Sequence, residues 1–213
     1  MAIFEEKSNY TIGDLLEIMR LLRSPEGCPW DKQQSHATIK KNLIEEAYEA
    51  VEAIDRKDGG ALCEELGDVL LQIVFHAQMA KEQGEFNFDK VCDGICKKLI
   101  LRHPHVFGTV KADTAEKVLD NWAEIKKAEK GQADTADVIN AVARSLPALM
   151  RGQKIAKAAV KGGILEPVKS QPDASGRINA LIWEAVRLAA AEKLDAEEVF
   201  TDFLNDFISH AEQ

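Results

Sequence analysis

Apolar residues recur at every third or fourth position through two consecutive stretches of the chain, residues 42–55 and 61–78. This spacing predicts two amphipathic helices, joined by a short break at residues 57–60. In the first helix the predicted apolar stripe consists of Leu43, Ala47, Ala50, Val51 and Ile54. In the second helix it consists of Leu62, Leu66, Leu70, Ile73 and Ala77. Because Leu71 and Phe75 lie opposite the second stripe, the second helix is predicted to be buried on more than one side.

The same periodicity predicts helices along the rest of the chain, with proline and glycine residues between them. These helices cover residues 11–23, 87–101, 114–130, 146–160, 177–193 and 195–210. The expected helix caps are Thr11 or Asn9, Asn87 or Asp89, Asp113 or Thr114, and Gly84 at the end of the second hairpin helix. A linker is predicted at residues 131–137, and an irregular loop with Pro167 and Pro172 at residues 161–176. The predicted fold class is therefore all-α.

Each helix of the predicted hairpin carries a pair of carboxylates three residues apart. Glu46 and Glu49 flank the first stripe, and Glu65 and Asp68 repeat the spacing on the second helix, so each pair lies side by side. Carboxylates brought together on a partly buried face repel one another unless a cation compensates for their charge. A hard divalent ion with oxygen ligands, Mg²⁺ above all, fits this arrangement. The alternative is that these acids belong to solvated helix faces.

Composition narrows the class of protein. Of the 213 residues, 46% are hydrophobic and 30% are charged, which is typical of a globular protein with one domain or two small ones. The net charge of −9 argues against a nucleic-acid polymer as partner, since such binding needs a basic surface. No apolar run approaches the roughly 20 residues that span a bilayer, and the N-terminus lacks the pattern of a secretion signal. Four cysteines without a disulfide-like spacing indicate a reducing cytoplasm.

An acidic protein that binds phosphates needs local cations, and Lys98 and Arg102 are the first candidates. They stand at i and i+4, so both point the same way. Beside a metal and phosphate site they would form a cationic clamp, and elsewhere they would be a solvated basic edge. Trp30 lies in a loop after the first helix. It is either a plug that pins this loop to the helices or a wall of a base or ribose pocket, a role that would also suit His36.

Several short motifs resemble, in the same order, those of the MazG-type nucleoside triphosphate pyrophosphohydrolases, which belong to an all-α NTP pyrophosphatase superfamily. The motifs are G-C-P-W-D at residues 27–31 with Gln34, E-E-x-x-E at 45–49, E-x-x-D at 65–68, R-H-P-H-V-F at 102–107, Trp122, Lys126 and S-L-P-A-L at 145–149. The resemblance covers residues 10–155. One departure is Asn42, which stands where a lysine is often expected before E-E-x-x-E.

The resemblance implies Mg²⁺-dependent hydrolysis of an NTP or dNTP to a nucleoside monophosphate and pyrophosphate, with Mn²⁺ as a substitute ion. The implied metal ligands are Glu46, Glu49, Glu65 and Asp68. Glu45 is the candidate catalytic residue, which would orient the attacking water or bind a further ion. The implied substrate-binding residues are Lys98, Arg102, Trp122, Lys126 and Trp30.

The implied architecture is a four-helix-bundle-like MazG core at residues 10–131, completed by a second copy of the chain. Dimerisation is expected because a single hairpin would expose too much of its second helix. Some members of the family carry two such domains in tandem, and residues 137–213 resemble a degenerate helical second copy. Its paired carboxylates are missing, since the only acids between Arg151 and Trp183 are Glu166 and Asp173. This region is therefore predicted to be structural or to contribute to dimerisation.

Two other functions fit part of the pattern. The first is a pyrophosphatase of the same superfamily with a narrower substrate, such as dUTP, dCTP or phosphoribosyl-ATP. The second is a non-catalytic helical protein that regulates or scaffolds a partner. The G-C-P-W-D and R-H-P-H-V-F motifs favour the MazG branch over the first, and the four-acid set argues against the second.

Overall fold

The structure, a computed structural model, describes residues 4, 6–129, 131, 134–163 and 173–211. These residues form helices, turns and irregular segments without a strand, which confirms the predicted all-α fold class. The helices are α1 (Ile12–Leu22), α2 (Pro29–Gln33), α3 (His36–Asp55), α4 (Gly59–Glu82), α5 (Phe88–Arg102), α6 (Pro104–Phe107), α7 (Ala115–Glu129), α8 (Thr135–Asn140), α9 (Ala148–Lys161), α10 (Ala174–Ala191) and α11 (Ala196–Ala211). None of the described helices combines the length and apolar character needed to cross a bilayer.

Packing divides the chain into two compact units, Met1–Leu101 and Arg102–Gln213, called here the first unit and the second unit. The linker predicted from the sequence lies instead at residues 131–137. A division at this linker follows the position of the motifs, and the functional boundary stays a prediction.

The first unit is built on the antiparallel hairpin of α3 and α4, with α1 packed against α4. Apolar side chains from all three helices meet in one core. Its buried members are Met19, Ile39, Val74, Phe75 and Met79. Full burial of one such side chain stabilises a fold by about 1.5–3 kcal/mol, so this cluster holds the hairpin and α1 together.

The connection between α3 and α4 is shorter than predicted. Lys57 adopts a left-handed conformation with φ of 56°. The Asp58 carboxylate then accepts hydrogen bonds from the N–H groups of Gly60 and Ala61, both at 3.0 Å. This N-cap satisfies two amides that have no partner within the helix, so α4 already begins at Gly59.

The hairpin helices bury faces that differ from the predicted stripes. The buried apolar residues on α3 are Ile39, Ala50 and Ala53, and those on α4 are Val74, Phe75, Ala77, Met79 and Ala80. The predictions for Ala50 and Ala77 are confirmed. The exposed members of the predicted stripes, for which burial was wrong, are Ala47, Val51, Ile54, Leu66 and Ile73. Both helices have apolar residues on more than one side, so periodicity alone could not indicate which side meets the other helix.

The segment after α1 is held by a buried arginine and a glycine. The Arg23 guanidinium forms an ion pair with Glu82 on α4, with Nη2 2.7 Å from Oε2, and donates to the Asp31 carbonyl on α2. A Cβ at Gly27 would lie 2.3 Å from the carbonyl oxygens of Leu21 and Leu22, so only glycine fits there. Residues 29–33 form a short helix that is tied to Arg23, where a loop was predicted.

The second unit is centred on α9, which contacts α8, α10 and α11. Its buried apolar residues are Ala156, Ala159 and Val186. Gln153 is also buried because both ends of its amide are satisfied: Nε2 donates to the Leu194 carbonyl, and Oε1 accepts from the Ala196 N–H at 3.1 Å. This side chain joins α9 to the turn between α10 and α11.

Several predicted boundaries are confirmed, and two more differ in the second unit. The confirmed caps are Thr11, Gly84 with φ of 74°, Asn87 and Thr114. The end of the predicted linker is helical, because the Asp134 carboxylate accepts from the Asp137 N–H at 2.9 Å and caps α8. Likewise Asp173 caps α10, so this helix starts inside the predicted irregular loop. Pro167, Pro172 and Glu166 lie outside the described residues.

Candidate functional site

The hairpin turn brings three of the predicted metal ligands together. Glu46 and Glu49 on α3 and Glu65 on α4 each place one carboxylate oxygen within 4.8 Å of the others. Glu46 and Glu65 are half-buried, whereas Glu49 is exposed. Because the three donors are all carboxylate oxygens, the set suits a hard ion such as Mg²⁺ or Mn²⁺ rather than a soft one.

The negative charges of these carboxylates repel one another. Burial, followed by repulsion from Asp68 and Glu49, raises the pKa of the Glu46 carboxyl above its usual range. Burial and repulsion from Glu49 likewise raise the pKa of Glu65. Asp68 also contributes to the raised pKa of Glu65, so its charge acts on both half-buried acids. A bound cation would relieve this repulsion, which makes the cluster a fitting metal site.

The two remaining acids of the motifs act on the cluster through their charge. Asp68 is half-buried on α4 and is not among the three residues whose oxygens lie within 4.8 Å of one another. Glu45 is exposed on α3, and its charge adds to the raised pKa of Glu46. Both are therefore near enough to act electrostatically on the cluster.

A histidine pair at the other end of the hairpin was missed by the sequence analysis, which considered His36 alone. His36 begins α3 and His76 lies on α4, with their Nδ1 atoms 2.7 Å apart and their ring planes within 3°. One ring must donate a proton and the other must accept it, so the contact requires at least one neutral imidazole. The pair could have been predicted, because the antiparallel register of α3 and α4 that places Glu49 beside Glu65 also brings His36 and His76 close together.

Stability is expected to fall as the pH drops from 7 to 5, because of this pair. Burial, followed by the charge of His36, lowers the pKa of His76 below its usual 6.5. At a pH below 6.5, His76 therefore binds fewer protons in the folded state than in the unfolded state. The free energy of unfolding consequently decreases as the pH falls below 6.5. Urea unfolding at pH 7, 6 and 5 measures the effect. His76→Gln should flatten this dependence, whereas His210→Gln, at an exposed histidine, should not; equal slopes in all three proteins would contradict the prediction.

The predicted aromatic and cationic residues of the second unit form a second cluster. The buried Arg102 side chain pairs with Glu129, with Nη2 2.8 Å and Nε 2.9 Å from Oε2. Its guanidinium carbon lies 5.2 Å from the centre of the Trp122 ring, and the Lys126 Nζ lies 4.8 Å from the same ring. The predicted shared face of Trp122 and Lys126 is therefore present, and cation–π attraction adds to it.

The other predicted substrate-binding residues are exposed. Lys98 lies on α5 in the first unit, and its exposure contrasts with the burial of Arg102 one helical turn later. Trp30 lies on α2 with 58% of its surface exposed, so its interpretation as a buried plug is wrong. The interpretation of Trp30 as a wall of a base or ribose pocket stays a prediction.

Comparison with known proteins agrees with the geometry of the hairpin. The MazG nucleotide pyrophosphohydrolase domain matches residues 34–107, which include all five acids of the two motifs. The nucleoside triphosphate pyrophosphohydrolase of Escherichia coli (strain K12) is 44% identical over 198 residues, which cover 91% of this chain and 74% of that protein. The nucleoside triphosphate pyrophosphohydrolase/pyrophosphatase MazG of Thermotoga maritima is 40% identical over 197 residues, covering 92% of this chain and 73% of that protein.

Among solved structures, the crystal structure of a mazG-related protein from Thermotoga maritima is similar to part of the chain. The TM-score is 0.46 at 31% identity, covering 54% of this chain and 98% of that one. The sequence identities to the two curated proteins extend over nearly the whole chain and about three quarters of each relative. On that evidence the chain belongs to the MazG family of nucleoside triphosphate pyrophosphohydrolases.

Proposed function

We propose that this chain hydrolyses nucleoside triphosphates to nucleoside monophosphates and pyrophosphate, with Mg²⁺ as the metal. The observation that carries the proposal is the three-carboxylate cluster on the α3–α4 hairpin, which lies within the residues matched by the family. The Escherichia coli and Thermotoga maritima relatives carry the name of this activity. The family match and the oxygen-only donor set thus support the same reaction.

In this proposal Glu46, Glu49, Glu65 and Asp68 hold one or more Mg²⁺ ions, which Mn²⁺ can replace. When bound, the metal would stabilise the negative charge that develops on the phosphate oxygens as water attacks. Glu45 is exposed beside the cluster, so its carboxylate can accept a hydrogen bond from water and orient it. The raised pKa of Glu46 and Glu65 supports a site that is more stable with a cation than without one.

The triphosphate carries several negative charges into a protein whose own net charge is −9. Lys98, Arg102 and Lys126 would offset these charges, and guanidinium and ammonium groups form strong charge-assisted hydrogen bonds with phosphate. The indole rings of Trp122 and Trp30 would lie against the base or ribose, since an indole offers a large apolar face.

The direct test is the product pattern of the full chain with a panel of NTPs and dNTPs and Mg²⁺, followed by chromatography. Cleavage between the α and β phosphates should convert ATP to AMP and pyrophosphate without ADP as an intermediate. ADP and inorganic phosphate as first products would contradict the proposal. Hydrolysis of dUTP, dCTP or phosphoribosyl-ATP alone would show that the protein is instead a pyrophosphatase with a narrower substrate.

The proposal includes a homodimer, supported by an uncovered apolar face in the first unit. On α3, Ile44, Tyr48 and Val51 follow one another at i, i+4 and i+7, and each is more than half exposed. Leu66 on α4 is also more than half exposed. Covering such a face with its copy removes apolar area from water, which favours association. Light scattering should give twice the 23.6 kDa mass of the chain, and Val51→Glu should give the monomer mass; a wild-type monomer would contradict the dimer.

A reducing cytoplasm is the proposed location. The thiols of Cys28, Cys63, Cys92 and Cys96 are all free, as expected where disulfides do not form. No nucleic-acid polymer or membrane is proposed as partner, since the charge of −9 disfavours binding to a phosphate backbone.

A further inference from the structure

The second unit contains a cavity of about 590 Å³ lined by α7, α8, α9 and the segment between α8 and α9. This volume lies in the range of small-molecule sites. Part of the lining is apolar and half-buried, and it consists of Trp122, Val138, Val142, Leu146 and Ala158. The cationic part of the lining consists of Lys126, Lys127, Lys154, Lys157 and Lys161. An apolar wall beside a group of ammonium ions suits a ligand with a ring and several negative charges.

The lining has an excess of positive charge. Among its described residues, five lysines face two acids, Glu124 and Asp134, so the difference is three positive charges. The Asp134 carboxylate is engaged as the cap of α8, and Glu124 Oε1 lies 3.6 Å from the Lys161 Nζ. In a chain with a net charge of −9, such a local excess in a concave site concentrates positive potential and attracts polyanions.

The fold explains why the lysines converge. Lys154, Lys157 and Lys161 stand at i, i+3 and i+7 on α9, so they share one face of this helix. Gln153, Ala156 and Ala159 are buried on another face of the same helix, which fixes its rotation about its axis.

One end of the cavity depends on a glycine. A Cβ at Gly162 would lie 2.2 Å from the Thr135 Oγ1, so only glycine allows the end of α9 to approach the start of α8 so closely. Both residues belong to the lining. The shape of this end of the cavity thus depends on the close packing of Gly162 against the Thr135 side chain.

We propose that this cavity binds a nucleoside triphosphate, with the phosphates among Lys154, Lys157 and Lys161 and the base or ribose against the apolar side chains of Val138, Val142 and Leu146. The identity of the ligand as a nucleotide rests on the proposed function, whereas the charge and shape of the cavity do not. The C-terminal region then supplies nucleotide-binding residues of its own. This role goes beyond the structural one predicted for a degenerate second copy.

The test is calorimetric titration of the full chain with ATP in EDTA, so that no metal is bound and no hydrolysis takes place. The variant combines Lys154→Gln, Lys157→Gln and Lys161→Gln. The matched control combines Lys111→Gln, Lys117→Gln and Lys193→Gln, which removes the same charge from exposed lysines of the same unit outside the cavity. Thermal unfolding of each protein confirms that it is folded.

The cavity variant should bind ATP at least about tenfold more weakly than wild type, because three charge-assisted contacts to phosphate are lost. AMP, with one phosphate, should lose less affinity than ATP, and the control should bind as wild type does. Equal affinity in all three proteins, or an equal loss in variant and control, would overturn the proposal. If ATP binding depends on the three lysines but the protein hydrolyses no ATP in Mg²⁺, the proposed enzymatic function is wrong and the cavity proposal stands. If hydrolysis is normal but ATP binding does not depend on these lysines, only the cavity proposal is wrong.

Discussion

Replacing Glu49 with glutamine is expected to lower kcat/KM for Mg²⁺-dependent ATP hydrolysis by at least about 100-fold. Loss of a group that only supports a metal ligand already costs about 10–100-fold, and Glu49 supplies one of three carboxylates that lie together. The change keeps the shape of the side chain and removes one charge. Steady-state kinetics of the purified full-length variant measures it.

Thermal unfolding separates the loss of a ligand from the loss of the fold. Burial, followed by repulsion within the cluster, raises the pKa of Glu46 and Glu65, and above those pKa values the ionised cluster destabilises the folded state. In EDTA, Glu49→Gln should therefore unfold at the wild-type temperature or slightly above it. Added Mg²⁺ or Mn²⁺ should raise the unfolding temperature of wild type but not of the variant, because a ligand stabilises only the state that binds it.

The matched control is Glu64→Gln, at an exposed residue whose charge also contributes to the raised pKa of Glu65, so it tests the loss of a nearby charge without the loss of a clustered carboxylate. Glu64 is not one of the three clustered carboxylates. Its variant should keep wild-type kinetics within a small factor. Normal turnover by a well-folded Glu49→Gln protein, or an equal loss in both variants, would remove the metal assignment.

Replacing Arg102 with glutamine is expected to raise the KM for ATP by about 10-fold or more, since charge-assisted hydrogen bonds to phosphate are strong. Arg102 is a buried cation that pairs with Glu129 and lies against Trp122. Such a residue has two separate roles to distinguish. It can hold its neighbours together, or it can release its guanidinium to a phosphate.

Glu129→Gln distinguishes these roles, because it breaks the same ion pair and leaves the guanidinium in place. Each substitution should lower the free energy of unfolding by about 1–3 kcal/mol. Breaking a fully buried ion pair would lower it further, but the Glu129 side chain is 30% exposed. If Arg102 binds phosphate, Glu129→Gln leaves KM unchanged or lower. Urea unfolding and steady-state kinetics on both variants decide the question, and an equal rise in KM in both would show that Arg102 acts only through Glu129.

Much of the helical framework could be predicted from the sequence because it depends on local chemistry. Thr11 and Asn87 stand at the starts of their helices as expected. The Asn87 Oδ1 accepts from the Lys90 N–H at 2.9 Å, and the Asp14 carboxylate accepts from the Thr11 N–H at 2.8 Å, so amides that lack a partner within the helix are satisfied. Gly84 ends α4 with a positive φ, which glycine adopts without strain. The start of α4 was predicted too late in the chain. The difference is explained by another local cap, Asp58, which allows the helix to begin at Gly59.

The carboxylate cluster was also predictable, for a geometric reason. Residues three apart on one helix are neighbours, and a short turn folds the second pair back beside the first, so Glu46, Glu49 and Glu65 meet without any long-range information. The position of Asp68 relative to the cluster depends on the rotation of α4 about its axis. Periodicity does not determine this rotation when a helix has apolar residues on several sides.

The all-α fold class, the hairpin and the acids on it follow from spacing and capping along one segment, so they could be predicted without knowledge of the fold. Tertiary packing selected the faces that are buried: Ala53 and Val74 lie in the interior, whereas Val51 and Leu66 are exposed. It also decided that Arg102 pairs with Glu129 and that lysines of α7 and α9 surround one cavity. These contacts join residues from separate helices, and the free energy that selects them comes from burial and charge pairing across the fold rather than from the local conformation of any one segment.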